Sequence, residues 1–186
     1  MNPMLWTVPG DVPVNLFFAL LPPPEISPAI ETLGGTLQRA HRLNGRRIMK
    51  DRLHNTLAAV HDAGSLTKNI ERAKWIGARI KHPSFPVRFE WTGSFKSGQR
   101  RYPLVLRGED GLKSLVGFQQ EVCEQMARAG LAVARNYTPH ITLLWADRCV
   151  DEYPIAPIGW TVRDFVLVMS LVGQSRHIPV ARWQLH

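Results

Sequence analysis

Apolar positions along the chain switch between a period near 3.6 and a period of two. Residues 14–21 are apolar throughout except Asn15, as in a strand covered on both faces, and Pro22-Pro23-Pro24 stops the run. Ile26, Ala29, Ile30, Leu33, Leu37 and Ala40 then recur at spacings of three and four, which predicts a helix. Gly34-Gly35 falls inside it, costs about 1 kcal/mol per glycine relative to alanine, and marks a place for a kink or break. Ser65 caps a second predicted helix carrying Leu66, Ile70, Ala73, Ile76 and Ile80. Leu112, Leu115, Val122, Met126 and Ala129 mark a third, closed by Gly130. Phe85, Val87, Phe89 and Trp91 alternate with Pro86, Arg88 and Glu90, a half-buried strand whose proline suits an edge or a start. Residues 102–107 read as a strand, residues 165–172 as a central strand, and residues 178–185 as its partner after a turn at 173–176. Residues 1–13, with three prolines and a glycine, read as an irregular arm; 93–101 as a polar, basic loop; and the stretch leading to Thr161 as a Pro-rich linker.

Two further short strands carry the same tetrad. His54-Asn55-Thr56-Leu57 and His140-Ile141-Thr142-Leu143 both read His-x-Thr-Leu and lie 86 residues apart. In a strand, residues i and i+2 share a face, so each copy sets an imidazole beside a hydroxyl and turns the leucines the other way. On the first strand, residues 52–60, the alternation groups Arg52, His54, Thr56, Ala58 and Val60 on one side. It places Asn55 among leucines, where it needs hydrogen-bond partners. One such strand in each half of the chain points to a duplicated half-domain with a paired site.

Composition is that of an ordinary folded protein, with 45% hydrophobic and 20% charged residues in 186, enough to bury a core without staples. The formal charge of +8 favours anionic partners such as RNA or nucleotides. Cys123 and Cys149 form neither a disulfide framework nor a C-x-x-C metal site, which fits a reducing cytoplasm. The apolar run at 16–21 is too short to span a bilayer and lacks the basic flank and cleavage site of a signal peptide.

Two imidazoles on opposite sides of one phosphorus suit the hydrolysis of a phosphodiester. Their ordinary pKa of about 6.5 lets one, neutral, take a proton from water while the other, protonated, gives one to the leaving oxygen. Two threonine hydroxyls can donate to the non-bridging oxygens as charge builds. This chemistry asks for no metal and no cofactor, and neither H-x-T nor the distant cysteines have zinc-ligand spacing.

The opening strand Leu16-Phe17-Phe18-Ala19-Leu20-Leu21-Pro22, the stretch Leu53-His54-Asn55-Thr56-Leu57 and the stretch Thr138-Pro139-His140-Ile141-Thr142-Leu143 together resemble the 2′-5′ RNA ligase / RNA 2′,3′-cyclic phosphodiesterase family of the two-histidine phosphoesterase superfamily. The apolar segment ending at Ser170 is similar to the family's closing strand, and the likeness runs from about residue 14 to 185. It implies a bilobal α+β fold with pseudo-two-fold symmetry, two antiparallel-rich sheets lining a central cleft and helices outside. Residues 14–186 would form one domain. It further implies metal-independent hydrolysis of 2′,3′-cyclic phosphates on RNA ends or small nucleotides, commonly to a 2′-phosphate, with weak reverse 2′-5′ ligation in some members. By motif, His54 would protonate the leaving oxygen, His140 would activate water, and Thr56 and Thr142 would hold phosphoryl oxygens. Two departures stand out. Asn55 replaces an aliphatic residue, and Leu144-Trp145 stands where many relatives carry a small residue and arginine. Lys96, Arg101 and Arg135 are the basic candidates to contact phosphate in its place.

His41, His61, His82, His177 and His186 lack paired partners in sequence and read as surface or turn residues. Tyr137, Trp91 and Phe95 are aromatics able to stack on a base. The expected partner is RNA with a cyclic phosphate end or a cyclic nucleotide, with no membrane and no obligate protein partner, the chain acting as a monomer. The competing reading is a nucleotide- or RNA-binding module that uses the same cleft without turnover.

Overall fold

A computed structural model describes residues 6–8, 12–96, 101–134 and 136–186. Among them are ten strands in two antiparallel sheets and three α-helices. Strands β1 (Trp6–Val8), β2 (Val12–Leu20), β4 (Asn55–Val60), β9 (Asp164–Leu171) and β10 (Arg176–Gln184) build the first sheet. Its centre is β2, flanked by β9 on one edge and by β4 and β1 on the other. The second sheet runs β3 (Gly45–Arg47), β7 (Ile141–Ala146), β6 (Tyr102–Arg107), β5 (Phe85–Ser94), β8 (Tyr153–Val162). One H-x-T strand therefore sits in each sheet, and the α+β, bilobal arrangement expected from the sequence is the one observed.

Helices α1 (Ser27–Ala40), α2 (Leu66–Arg79) and α3 (Lys113–Arg128) cover the outer faces. Helix α1 runs unbroken through Gly34-Gly35, because both glycines are buried where the helix lies close on β7. A Cβ at Gly35 would sit 2.8 Å from the Arg47 guanidinium. Ser65 caps α2 by accepting from the Lys68 amide, as its position predicts. A continuous core joins Leu16, Phe18 and Phe165 of the first sheet to Phe89, Leu104 and Leu143 of the second through Phe118 of α3. Phe17, Ala19, Val166 and Val168 form a smaller apolar patch on the opposite face of the first sheet, which is the face toward the cleft.

Three sequence expectations are corrected. Trp6–Val8, inside the expected irregular arm, is a strand paired with Val12–Val14, and the Trp6 indole donates to the Gly64 carbonyl at 2.8 Å. The expected Pro-rich linker contains strand β8, an edge strand where Pro154 and Pro157 are tolerated while Ile158, Trp160 and Val162 face inward. The third concerns the alternation on β4. Thr56 pairs with Ala19 but Ala58 with Phe18, so Leu57 is an extra residue in the ladder. The bulge reverses the faces beyond it: Ala58 and Val60 join the core, and Ala59 takes the cleft side.

Candidate active site

Each histidine lies one residue before its strand begins, and both are held the same way. The chain enters β4 through a single 3₁₀ turn at Lys50–Arg52, and His54 Nδ1 donates to the Arg52 carbonyl at 2.8 Å. His140 Nδ1 donates to the Thr138 carbonyl at 2.7 Å, across the extended residues that Pro139 enforces. A carbonyl only accepts, so Nδ1 carries hydrogen in both rings. Nε2 is left as the nitrogen that takes or gives a proton.

The likeness extends one step further along each strand. In β7, Thr142 pairs with Val105 and Leu144 with Leu104, which leaves Leu143 as the extra residue. Leu57 and Leu143, the fourth residues of the two tetrads, are thus both bulged, and the bulges twist the strands just past the threonines. Thr56 and Thr142 are half-buried, and neither hydroxyl bonds to another described residue.

Asn55 joins the two copies. Its side chain is 1% exposed, its Nδ2 donates to the His140 carbonyl at 2.9 Å, and its Oδ1 accepts from the Tyr137 hydroxyl at 2.7 Å. The partners that a buried asparagine requires therefore come from the other lobe, and they fix the height of His140 against the first motif. Burial raises the Tyr137 phenol well above its ordinary pKa, so it stays a donor.

Burial also lowers the pKa of both histidines. For His54 the neighbouring His140 and Arg52 charges add to the fall, and for His140 the Arg107 charge does, while the carbonyl bonds oppose it in each case. The His54 ring packs against Phe17 at 5.1 Å between centroids and meets the edge of His177 at 4.8 Å. The His140 ring meets Phe95 edge-on at 4.9 Å. Arg107 lies over Phe95 and is paired with Glu152. On the other side Arg52 keeps its Nε buried without a partner, which suits a site that takes an anion.

The structure brings His54, Thr56, His140 and Thr142 to one place. Of the expected basic contacts, Lys96 and Arg101 are exposed on either side of the β5–β6 connection, and Arg135 lies outside the described residues. Trp145 is 38% exposed beside Pro103. Among the described residues, Arg107 and Arg52 are the cations whose charge reaches the imidazoles. His41 bonds Tyr153, and His82 packs on Phe85 and Phe118, both away from the motifs. His177 does not fit the expectation of an unpaired turn residue, since it meets His54. The signal for it was the hairpin register, which sets His177 opposite Ser170. A cavity of about 1040 Å³ beside Leu53, lined by Pro22–Pro24, Trp160 and Arg182, contains neither imidazole of the pair. Among the described residues no group of three His, Cys, Asp or Glu side chains is placed to hold a metal ion.

No family model matches the chain, and no curated protein matches it in sequence. Solved structures do. The chain is similar to Escherichia coli LigT, with 27% identity and a TM-score of 0.74 over 94% of this chain and 98% of LigT. LigT in complex with 3′-AMP aligns with 28% identity and a TM-score of 0.71 over 92% and 97% of the two chains. A further crystal structure, of a phosphoesterase, aligns with 26% identity and a TM-score of 0.71 over 92% and 97%.

Proposed function

The chain belongs to the two-histidine phosphoesterase superfamily, and from that premise we propose that it hydrolyses 2′,3′-cyclic phosphates on RNA ends or small nucleotides, without a metal, to a 2′-phosphate. A phosphoesterase or RNA-ligase type of function follows from its neighbours. The cyclic substrate rests on the site. The observation that carries it is the matched tethering of His54 and His140, each with Nδ1 on a carbonyl two residues back and Nε2 available. LigT has been crystallised with 3′-AMP, ATP, NADP⁺ and phosphate, which supports a nucleotide phosphate as the ligand class here.

In this reading the cyclic phosphate anion lies between the two imidazoles, with the Thr56 and Thr142 hydroxyls on its non-bridging oxygens. The His140 bond to its carbonyl lies in the more exposed setting, so water reaches phosphorus from that side. His140 Nε2 takes the proton of the attacking water as the new P–O bond forms. The P–O3′ bond breaks opposite, and O3′ leaves with the proton of His54 Nε2. One proton has moved from His54 to His140, and solvent exchange restores the start. Each transfer is worth about 10²- to 10⁴-fold in rate. With an RNA 5′-hydroxyl in the place of water the same groups keep their roles: His140 takes the 5′-hydroxyl proton, O3′ leaves with the proton of His54, and a 2′-5′ bond is formed. The free site keeps both imidazoles low in pKa. The bound anion counters the burial and the cationic neighbours, and so stabilises the one proton that the mechanism needs.

The test is incubation with a 2′,3′-cyclic-ended oligonucleotide and a cyclic mononucleotide in EDTA, with the product identified by phosphorus NMR. A 2′-phosphate is expected from the wild type and near-complete loss of product from His54→Ala and His140→Ala. Full activity in either variant would sink the proposal. Tight binding of a nucleoside 2′-phosphate with no turnover of any cyclic substrate would favour the non-catalytic reading.

A further inference from the structure

The cleft face of the first sheet carries polar side chains that the H-x-T motifs do not use. In an antiparallel ladder, directly paired residues project to the same face. Asn15 on β2 pairs with Ser170 on β9, and Ser170 pairs with His177 on β10, so the three form one row across the sheet. Two residues along, Phe17 pairs with Val168, and both belong to the apolar patch on the cleft side. The row therefore faces the cleft one step beyond Phe17. The ring contacts of His177 agree, at 4.8 Å to His54 and 5.7 Å to Phe17.

All three side chains are half-buried, and none bonds to another described residue. That is a poor arrangement for a core and a good one for a ligand, since half-buried polar groups otherwise find partners inside the protein. They offer an amide, a hydroxyl and an imidazole, each with a donor and an acceptor. Burial, the His54 charge and Arg52 hold His177 down to about pKa 4, against the weaker pull of Asp51, so its ring is neutral at working pH and keeps both functions. Among the described residues the second lobe shows no match for this feature: where His54 meets His177, His140 meets the hydrocarbon ring of Phe95.

We propose that His177, with Ser170 and Asn15, forms a nucleoside subsite that hydrogen-bonds the sugar or base attached to the phosphate on the His54 side. It rests on the reading of the cleft as a nucleotide phosphate site and adds where the nucleoside lies. The geometry agrees with the proposed proton flow, because the oxygen that His54 protonates is the 3′-oxygen of that ribose. An exchange of the two roles would put water, and not sugar, beside His177. Phe17 supplies the apolar floor between the row and the phosphate.

The experiment compares two ligands on three proteins by calorimetry. The ligands are inorganic phosphate and a nucleoside 2′-monophosphate, and the proteins are the wild type, His177→Phe and His177→Gln. Phenylalanine keeps a ring against His54 but loses both nitrogens, and glutamine keeps a donor and an acceptor but loses the ring. The expected result is a five- to tenfold weaker nucleotide in His177→Phe, about the weight of one net hydrogen bond, with phosphate affinity within twofold and nucleotide binding largely restored in His177→Gln. Ser170→Ala, which removes little volume, should weaken the nucleotide in the same selective way. Unchanged nucleotide affinity in His177→Phe overturns the subsite and leaves His177 as packing. Equal losses for phosphate and nucleotide overturn it as well, since His177 would then act on the phosphate site through His54. A wild type that shows selective nucleotide binding but turns over no cyclic phosphate refutes the enzymatic proposal and leaves the subsite standing.

Discussion

Asn55→Leu tests whether the two motifs are held together by one buried amide. Leucine is close in size to asparagine and is the kind of residue the surrounding layer holds, with Leu53 and Leu57 at 2% exposure on either side. Packing alone would make the change neutral or favourable. The hydrogen bonds say otherwise. The substitution leaves the His140 carbonyl without its 2.9 Å donor and the Tyr137 hydroxyl without its 2.7 Å acceptor. A buried polar group left unpaired costs about 1–3 kcal/mol, so the pair sums to about 2–6 kcal/mol before the apolar gain is set against it. At about 2–4 °C per kcal/mol for a domain of this length, this is a fall in melting temperature of roughly 4–24 °C before the apolar gain. The effect on kcat should be larger than packing predicts, because the carbonyl released belongs to His140, the proposed base. A displacement near 1 Å costs up to about 10²-fold in rate, so a fall of tenfold or more in kcat is expected, with little change in KM. Tyr137→Phe removes one of the two bonds and should reproduce part of the loss. The double variant should then lose less than the sum of the singles, because the two share a bond. Calorimetric melting and steady-state turnover measure both quantities. An Asn55→Leu protein that melts within 2 °C of the wild type and keeps kcat within twofold would refute the reasoning.

The free-enzyme imidazoles lie below their ordinary pKa of about 6.5, so the bell of kcat/KM against pH should centre on the acid side of that value; a bell centred above pH 7 contradicts the assigned environment. His177 is neutral when folded, at about pKa 4, and titrates at about 6.5 when unfolded. Its neutral burial therefore adds acid sensitivity, with stability present above about pH 6.5 and lost as pH falls toward 4. His177→Phe should lose less stability over that window than the wild type in urea titrations at fixed pH. Two helical glycines should respond oppositely: Gly34→Ala meets the Leu143 Cβ at an ordinary 3.6 Å and should stabilise by up to about 1 kcal/mol. Gly77→Ala, by contrast, drives a methyl into the Trp183 ring and should destabilise by about 1–3 kcal/mol, both read from denaturation midpoints.

The parts of the fold legible in the sequence are those written in local period. The helices follow from spacing, because each buries one face, and the strands at 102–107 and 165–172 follow from short apolar runs, because they are covered on both faces. Strand β8 was hidden because an edge strand tolerates Pro154 and Pro157 on its outer side, and two prolines in five residues otherwise signal a linker. Helix α1 survives its glycine pair because β7 lies against it, a tertiary fact that helix propensity does not contain. The bulges at Leu57 and Leu143 were equally out of reach, since a bulge is a relation between two strands and leaves no mark on one. At the site, the H-x-T pairs could be read directly. Asn55 could be identified as needing partners but not matched to them, since Tyr137 lies 82 residues away. Lys96 and Arg101 are legible as charges in a loop, whereas the influence of Arg52, in the 3₁₀ turn before β4, and of Arg107, at the end of β6 and paired with Glu152, on the imidazoles comes from the tertiary fold.

The symmetric and asymmetric features of the site divide by function. What the two lobes share is the proton machinery: an Nδ1 tether to the carbonyl two residues back, a hydroxyl on the same face, and a bulge at the next residue. The proposed reaction moves one proton onto a base and another off an acid, and two groups held alike suit those two roles. What the lobes do not share surrounds that machinery. His177 and an unpartnered Arg52 nitrogen flank His54, while Phe95 and a neutralised Arg107–Glu152 pair flank His140. Among the described residues the first side carries a neutral imidazole and a buried Arg52 Nε with free hydrogen-bonding capacity, and the second carries a hydrocarbon ring and an ion-paired arginine. A nucleotide carries its polar sugar and further phosphates on one side of the reacting phosphorus only, and water needs no recognition on the other. The two lobes therefore differ where a one-sided substrate would require it, and agree where the chemistry is two-sided.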